Sequence, residues 1–266
     1  MDKKILKTRV ITGLIFGSVV IGSFLIGLVT TLFLLITIGF GCTKEYLQMV
    51  KKDKPVVAVA GSIIFLFLAA GFYFIKFDEK IILWLLIINA ALFIIALIHF
   101  WKPFLNHSRS YAVISLFYTA IPVCAAIREL NENSNYTMVL LGVLFLIWAS
   151  DSGAYFAGSL FGKTKLFERI SPNKTWEGFI GGGILAVLVS LITSLMMPEI
   201  GLMKWVSISL IVWVIGTLGD LMESGIKRQF SVKDSGSILP GHGGFLDRFD
   251  SFIYVLPFIL LVIFYI

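Results

Sequence analysis

The 27 residues from Ser224 to Asp250, SGIKRQFSVKDSGSILPGHGGFLDRFD, carry four basic side chains (Lys227, Arg228, Lys233, Arg248), three carboxylates (Asp234, Asp247, Asp250), His242 and five glycines. Carboxylates bind hard cations, Lys and Arg pair with phosphate oxygens, and glycine lets a backbone approach a ligand closely. Together they point to the handling of a polyphosphate. Just upstream, Asp220 follows 15 uncharged residues, Trp205 to Gly219. On a continuous helix Asp220, Ser224 and Lys227 share one face, with Asp220 about 10 Å deeper than Lys227. Glu223 is another candidate partner on this helix, and an Asp merely neutralised by a neighbouring Lys is the plain alternative. Asp247 and Asp250 stand at i and i+3 in the expected first turn of the last helix, where the dipole alone favours acids. Capping does not call for the preceding His242-Gly243-Gly244, which sets a flexible backbone and an imidazole beside two carboxylates.

Three further places carry chemistry. Asp151 interrupts the run Met138 to Gly162, with the 12 positions from Val139 to Ser150 before it and the 11 after it all uncharged. An ionisable group at such depth is costly unless it faces protein, water or an ion; the alternative to a functional role is a helix-packing Asp bonded to Ser150, Ser152 or Tyr155. Ala157 to Thr164, AGSLFGKT, comes close to a P-loop, but it follows a membrane span and leads into KLFERISPNK, without the strand and helix that loop needs. Its glycines and Lys163 remain candidates for bordering a nucleotide. Ser171 to Gly178, SPNKTWEG, reads as a helix start with Ser171 as cap and Pro172 in the first turn, where exposed amides and Lys174 suit an anion. The alternative is an interfacial loop with Trp176 and Lys174 at the membrane surface.

The elements that must position these residues are membrane helices. Of the 266 residues 58% are hydrophobic and 14% charged, and the mean hydropathy is +0.94. Such values fall outside the soluble range and predict an all-α, polytopic membrane protein. The net charge of +6 comes from cations in short loops between apolar runs, which argues for membrane topology rather than nucleic-acid binding. Val10 to Thr43 is 34 uncharged residues, about 51 Å as one helix against a hydrocarbon core of about 30 Å. Two helices turning near Ser23 to Gly27 fit better. Further spans are expected near 56–75, 81–100, 111–127, 137–161, 178–197, 204–226 and 245–266, about nine transmembrane helices in all. With that count, 18 of the 22 Lys and Arg fall on one side, which should be cytoplasmic, and both polar loops, 162–177 and 227–244, lie there. A single first helix would lower the split to 14 against 8. The basic N-terminus precedes an uncharged run too long for a signal peptide and is read as retained. Cys42 and Cys124 have no metal-type spacing and are read as packing residues. No repeat or long linker divides the chain. We expect one membrane domain, with residues to about 130 supporting a catalytic region from about 131 to 266.

Ser224, Lys227-Arg228, Lys233-Asp234, Gly236, Leu239-Pro240, His242-Gly243-Gly244, Asp247-Arg248 and Asp250 resemble, position by position, the C-terminal motif of phosphatidate cytidylyltransferases. SPNKTWEG and the Asp151 to Lys163 region are similar to internal blocks of that family, whereas the N-terminal half matches in hydropathy and span number. The resemblance implies condensation of CTP with phosphatidic acid to CDP-diacylglycerol and pyrophosphate, with Mg2+, K+ as a candidate second cation, and a homodimer in the inner membrane. It implies that Asp220 and Asp247 are acids of a two-metal centre; on the residues themselves metal ligation is expected from Asp220, Asp247 and Asp250, and catalytic roles from Asp220, Asp247, Lys227, Arg228 and His242. Substrate contacts are expected from Asp151, Ser171, Asn173, Lys174, Ser224, Lys233, Asp234, Gly243, Gly244 and Arg248. No strong base is required, because a phosphate monoester with a second pKa of about 6 is already ionised near neutrality, so His242 is read as an orienting group.

Other classes of protein fit these residues less well. A secondary transporter also uses intramembrane acids but needs no such cluster of cations, His and Gly-Gly at one face. A CTP-dependent lipid kinase would release CDP instead of pyrophosphate. CDP-alcohol phosphotransferases carry a D-G-x-x-A-R pattern that is absent from this sequence.

Overall fold

A computed structural model describes residues 3–51, 54–101, 114–133, 135–238 and 243–265. His242, with Leu239 to Gly241, lies outside the described residues. The helices are α1 (Lys3–Ile26), α2 (Leu28–Val50), α3 (Pro55–Phe74) and α4 (Glu79–Trp101), then a π-helical turn (Leu116–Ala120) leading into α5 (Ile121–Glu132), and α6 (Tyr136–Phe161). Two short strands, β1 (Lys165–Phe167) and β2 (Ser171–Thr175), precede α7 (Trp176–Met196). Helix α8 (Leu202–Ile211) continues through a π-helical stretch (Val212–Gly216) into α9 (Thr217–Gln229), and α10 (Leu246–Tyr265) follows.

Among the described residues, every expected span coincides with a helical stretch; residues 111–113 of the 111–127 span and Ile266 lie outside them. Among the described residues, five such stretches are long and apolar enough to cross a membrane: Leu28–Val50, Pro55–Phe74, Tyr136–Phe161, Trp176–Met196 and Leu202–Gln229. Large side chains such as Phe67, Leu195 and Met203 are 75%, 83% and 73% exposed, the behaviour of lipid-facing positions and not of a water-facing surface. The chain is an all-α polytopic membrane protein.

The chain forms two compact units, Met1–Met138 with Gln229–Phe249, and Val139–Arg228 with Asp250–Ile266. In the first, the long N-terminal run breaks at Gly27, whose φ of 133° suits a residue without Cβ. The Thr30 hydroxyl donates to Ser23 O at 2.7 Å, seven residues back. A straight helix would separate those residues by about 10 Å, so the chain turns sharply here. Both helices extend beyond the uncharged run, because Lys and Glu are good helix formers and continue a helix past the hydrocarbon. A buried hydroxyl pair, Thr43 to Thr119 at 2.8 Å, ties α2 to the first π turn. Phe245 packs on Gly41, and Phe249 lies 5.5 Å from Phe16, ring centre to ring centre. These contacts hold the end of the polar 229–249 segment on α1 and α2, which is why that segment belongs with the N-terminal helices.

The second unit is built on close backbone approach. A Cβ on Gly153 would stand 2.6 Å from Gly181 O, one on Gly178 2.8 Å from Ala154 O, and one on Gly182 2.8 Å from Ser150 O. The small residues therefore let α6 and α7 touch along their backbones, as in other membrane helix pairs. Trp213 lies against Gly183 and donates its indole N–H to Phe179 O at 2.7 Å, joining α7 to the π stretch. Ser251 donates its hydroxyl to Gly216 O at 3.2 Å, at the end of that stretch. Gly178→Val and Gly182→Val should each lose about 1–3 kcal/mol through overpacking. Gly71→Ala, which meets nothing within 4 Å, should be near neutral. Thermal unfolding in detergent measures the difference.

Candidate active site

The local fold departs from one expectation. Ser171 does not cap a helix, because Ser171–Thr175 is an extended strand paired antiparallel with β1. Thr175 is the cap instead: its Oγ1 accepts from Gly178 N at 3.1 Å, and α7 begins at Trp176. Glu177 accepts from Thr164 N at 3.2 Å, closing the hairpin onto the helix start. The turn chemistry thus sits four residues later than Ser171-Pro172 suggests, since pairing takes up the backbone that would otherwise begin the helix. Gly158 and Gly162 of the near P-loop face Thr175, so here they serve packing of the helix pair and its hairpin.

The hairpin holds Asn173 and Lys174 over a cavity of about 260 Å³ within the second unit, lined also by Asp151, Tyr155, Phe179 and Asp220. Lys174 Nζ lies 2.6 Å from Asp220 Oδ2, and the Ser224 hydroxyl donates to Asp220 Oδ1 at 3.3 Å. Asp220, Glu223 and Asp250 each present a carboxylate oxygen within 4.8 Å of the others. Glu223 is 1% exposed, and Lys227 Nζ lies 2.5 Å from its Oε2. A carboxylate held this way beside its lysine has the charge compensation that burial demands. Gly216, at the end of the π stretch, also lines the cavity, and π bulges frequently mark functional positions.

The 229–249 segment, in the first unit, keeps its own polar network. Asp247 accepts from Ser235 N at 3.2 and 3.0 Å through its two oxygens, and from Gly244 N at 2.8 Å. Gly243, at φ 84°, leaves no room for a side chain, since a Cβ would stand 2.6 Å from Asp247 Oδ2. Arg228, Lys233, Asp234 and Arg248 are exposed. Ser171 is half-buried at the start of β2.

The structure therefore brings together Asp151, Asn173, Lys174, Asp220 and Ser224, with Glu223 and Asp250 beside Asp220. Asp247, Gly243 and Gly244 belong to the polar network of the 229–249 segment. Glu223 is legible in the sequence as a partner for Asp220, and its spacing is the signal. Glu45 carries no signal: it follows Lys44 just after the 34-residue uncharged run, where it reads as a loop residue. In the structure it is on α2, 1% exposed, and accepts from Ser235 Oγ at 3.0 Å and Leu246 N at 2.9 Å.

Clustered carboxylates and lysines, set in membrane helices and edged by a small β-hairpin, define the candidate site of an integral membrane protein. The chain belongs to the Cytidylyltransferase family, whose profile matches residues 7–266. It is 35% identical to a phosphatidate cytidylyltransferase of Bacillus subtilis over 96% of both chains. It is 46% identical to one of Staphylococcus saprophyticus and 45% identical to one of Staphylococcus aureus, each over 56% of both chains.

The two candidate caps separate by stability. Thr175→Val should lose about 1 kcal/mol, the usual value of an N-cap, whereas Ser171→Ala should stay within about 0.5 kcal/mol of wild type. Thermal or denaturant unfolding in detergent ranks them.

Proposed function

We propose that this cytidylyltransferase condenses CTP with phosphatidic acid, giving CDP-diacylglycerol and pyrophosphate for phospholipid synthesis. The observation that carries the reading is the Lys174–Asp220 pair at the cavity, with Glu223 and Asp250 clustered at the same carboxylate. A phosphate monoester oxygen of the lipid attacks the α-phosphorus of CTP in line. A new P–O bond forms, the bond from the α-phosphorus to the bridging oxygen breaks, and pyrophosphate leaves with its electron pair. The attacking oxygen is already ionised near neutral pH, so no side chain has to remove its proton.

Lys174 offers phosphate oxygens a cation at the cavity wall, and Asn173 and Asp151 hold polar groups of the substrates beside it. Asp220, Glu223 and Asp250 are oxygen donors of the kind Mg2+ takes, close enough together to share one ion. Bound there, Mg2+ supplies charge neutralisation and alignment of the phosphate oxygens. K+ is the candidate second cation. Lys227 balances Glu223, while Arg228, Lys233 and Arg248 are exposed cations suited to the triphosphate or the lipid phosphate. Asp247, oriented by two backbone amides, remains a proposed metal ligand, and His242 remains in the proposed machinery. The acyl chains stay in the bilayer while the head group meets a nucleotide from the cytoplasm, in keeping with 18 of 22 cations on the side of the polar loops. The proposed setting is the inner membrane of a bacterium, with the protein as a homodimer.

The test is incubation of purified protein with CTP, Mg2+ and phosphatidic acid, followed by identification of both products. CDP-diacylglycerol and pyrophosphate are expected; CDP with a phosphorylated lipid would move the reading to a lipid kinase, and substrate flux without CTP turnover to a transporter. Asp220→Asn should lower kcat by at least about a hundredfold with unfolding unchanged, on the scale of a lost electrostatic contact to the reacting phosphate. Lys174→Ala should raise the KM for CTP about tenfold, as expected for about 1.4 kcal/mol of lost binding.

A further inference from the structure

We infer that Glu45, from the N-terminal half of the chain, is a positioning residue for the reaction, acting through Ser235 on Asp247. The inference rests on the reading above only in giving Asp247 a place in the chemistry; the clamp itself stands on geometry.

Glu45 Oε2 receives two hydrogen bonds, from the Ser235 hydroxyl at 3.0 Å and from Leu246 N at 2.9 Å. A serine hydroxyl has one proton. Because Ser235 spends it on Glu45, its oxygen is left as an acceptor, and Asp247 N donates to that oxygen at 3.3 Å. Ser235 N closes the circuit by donating to Asp247 Oδ2 at 3.0 Å. One buried carboxylate therefore sets the direction of the Ser235 hydroxyl. That hydroxyl fixes the backbone of Asp247, and the Ser235 amide orients the Asp247 side chain. Leu246 N is among the first amides of α10, which have no partner within the helix, so Glu45 also anchors the helix start.

The neighbouring glycines are explained by the same carboxylate. A Cβ on Gly236 would collide with Glu45 Oε1, and one on Gly244 with Glu45 Oε2 and, at 2.5 Å, with Ser235 Oγ. The segment closes around Glu45 from both sides, and only glycine permits the approach. Glu45 is 190 residues from Ser235 and 201 from Leu246, so the clamp is a tertiary device with no counterpart in local sequence.

The experiment compares Glu45→Met, Ser235→Ala and the double variant, with Glu45→Gln as the conservative control. Methionine keeps the length of glutamate but has no carboxylate, so the Ser235 hydroxyl and Leu246 N both lose their acceptor, whereas the amide oxygen of glutamine can take the place of Oε2 and accept both bonds. Glu45→Met and Ser235→Ala should each lower kcat about tenfold with the KM for CTP within about threefold of wild type, and Glu45→Gln should stay within about threefold of wild-type kcat. The double variant should lose no more than either single one, since both break the same circuit. Glu45→Met combined with Lys174→Ala, in the other unit, should instead multiply the two losses. Independently of activity, Glu45→Met should speed hydrogen exchange about tenfold at Leu246 N, Asp247 N and Ser235 N, with the rest of α2 unchanged. Multiplicative losses in Glu45→Met with Ser235→Ala, an unchanged kcat in Glu45→Met, or faster exchange throughout α2 would overturn the assignment. If wild-type protein fails to turn over CTP and phosphatidic acid while exchange responds as expected, the functional reading falls and the clamp remains.

Discussion

Carboxylates cannot be placed among membrane helices without compensation, and this constraint organises the polar interior of the protein. Desolvating an ion costs several kcal/mol even after relaxation, so each buried acid needs a cation or converging donors. Three partnered acids among the described residues illustrate this, Asp220 at the cavity wall and Glu223 and Glu45 buried. Asp220 takes Lys174 from the β-hairpin, Glu223 takes Lys227 one helical turn along the same helix, and Glu45 takes a hydroxyl and a backbone amide. For Asp220 and Glu45 the compensating groups come from other elements, so satisfying those charges also fixes where the elements stand. The hairpin is tied to α9 by an ion pair, and the 229–249 segment is tied to α2 by hydrogen bonds.

The second constraint is backbone proximity. Hydrophobic driving force between helices is absent in lipid, and packing must supply the attraction. The glycines at 153, 178, 181 and 182 bring α6 and α7 together, and Trp213 fills the opening beside Gly183. With α7 held there, its N-terminal hairpin projects Asn173 and Lys174 to the cavity where Asp220 arrives from α9. The glycines that give AGSLFGKT its likeness to a P-loop belong to this packing.

Much of the architecture is written in composition and charge. The apolar runs set the helices, and 34 uncharged residues exceed one span, so a break near Gly27 follows from length alone. The C-terminal motif points to phosphate chemistry because carboxylates bind hard cations and Lys and Arg pair with phosphate oxygens. Spacing along one helix makes Asp220, Glu223 and Ser224 neighbours, since residues three and four apart share a helix face. The helix start at 171–178 is the exception. Cap signals at Ser171-Pro172 point four residues too early, because they lose to strand pairing, a contact between segments.

What the sequence by itself determined, then, is the class of protein, the placement of its helices and the chemical character of its loops, since hydropathy and i, i+4 geometry act over a few residues. Only the tertiary structure decided which acids meet which partners. Asp250 comes to Asp220 and Glu223 from a different helix, Lys174 comes from a hairpin, and Asp247 is held by amides of its own loop. Glu45 reaches that loop from about 190 residues away. Partner choice for a charge depends on the whole fold, because electrostatic compensation is satisfied by whatever group the packing brings within about 3 Å, however distant in sequence.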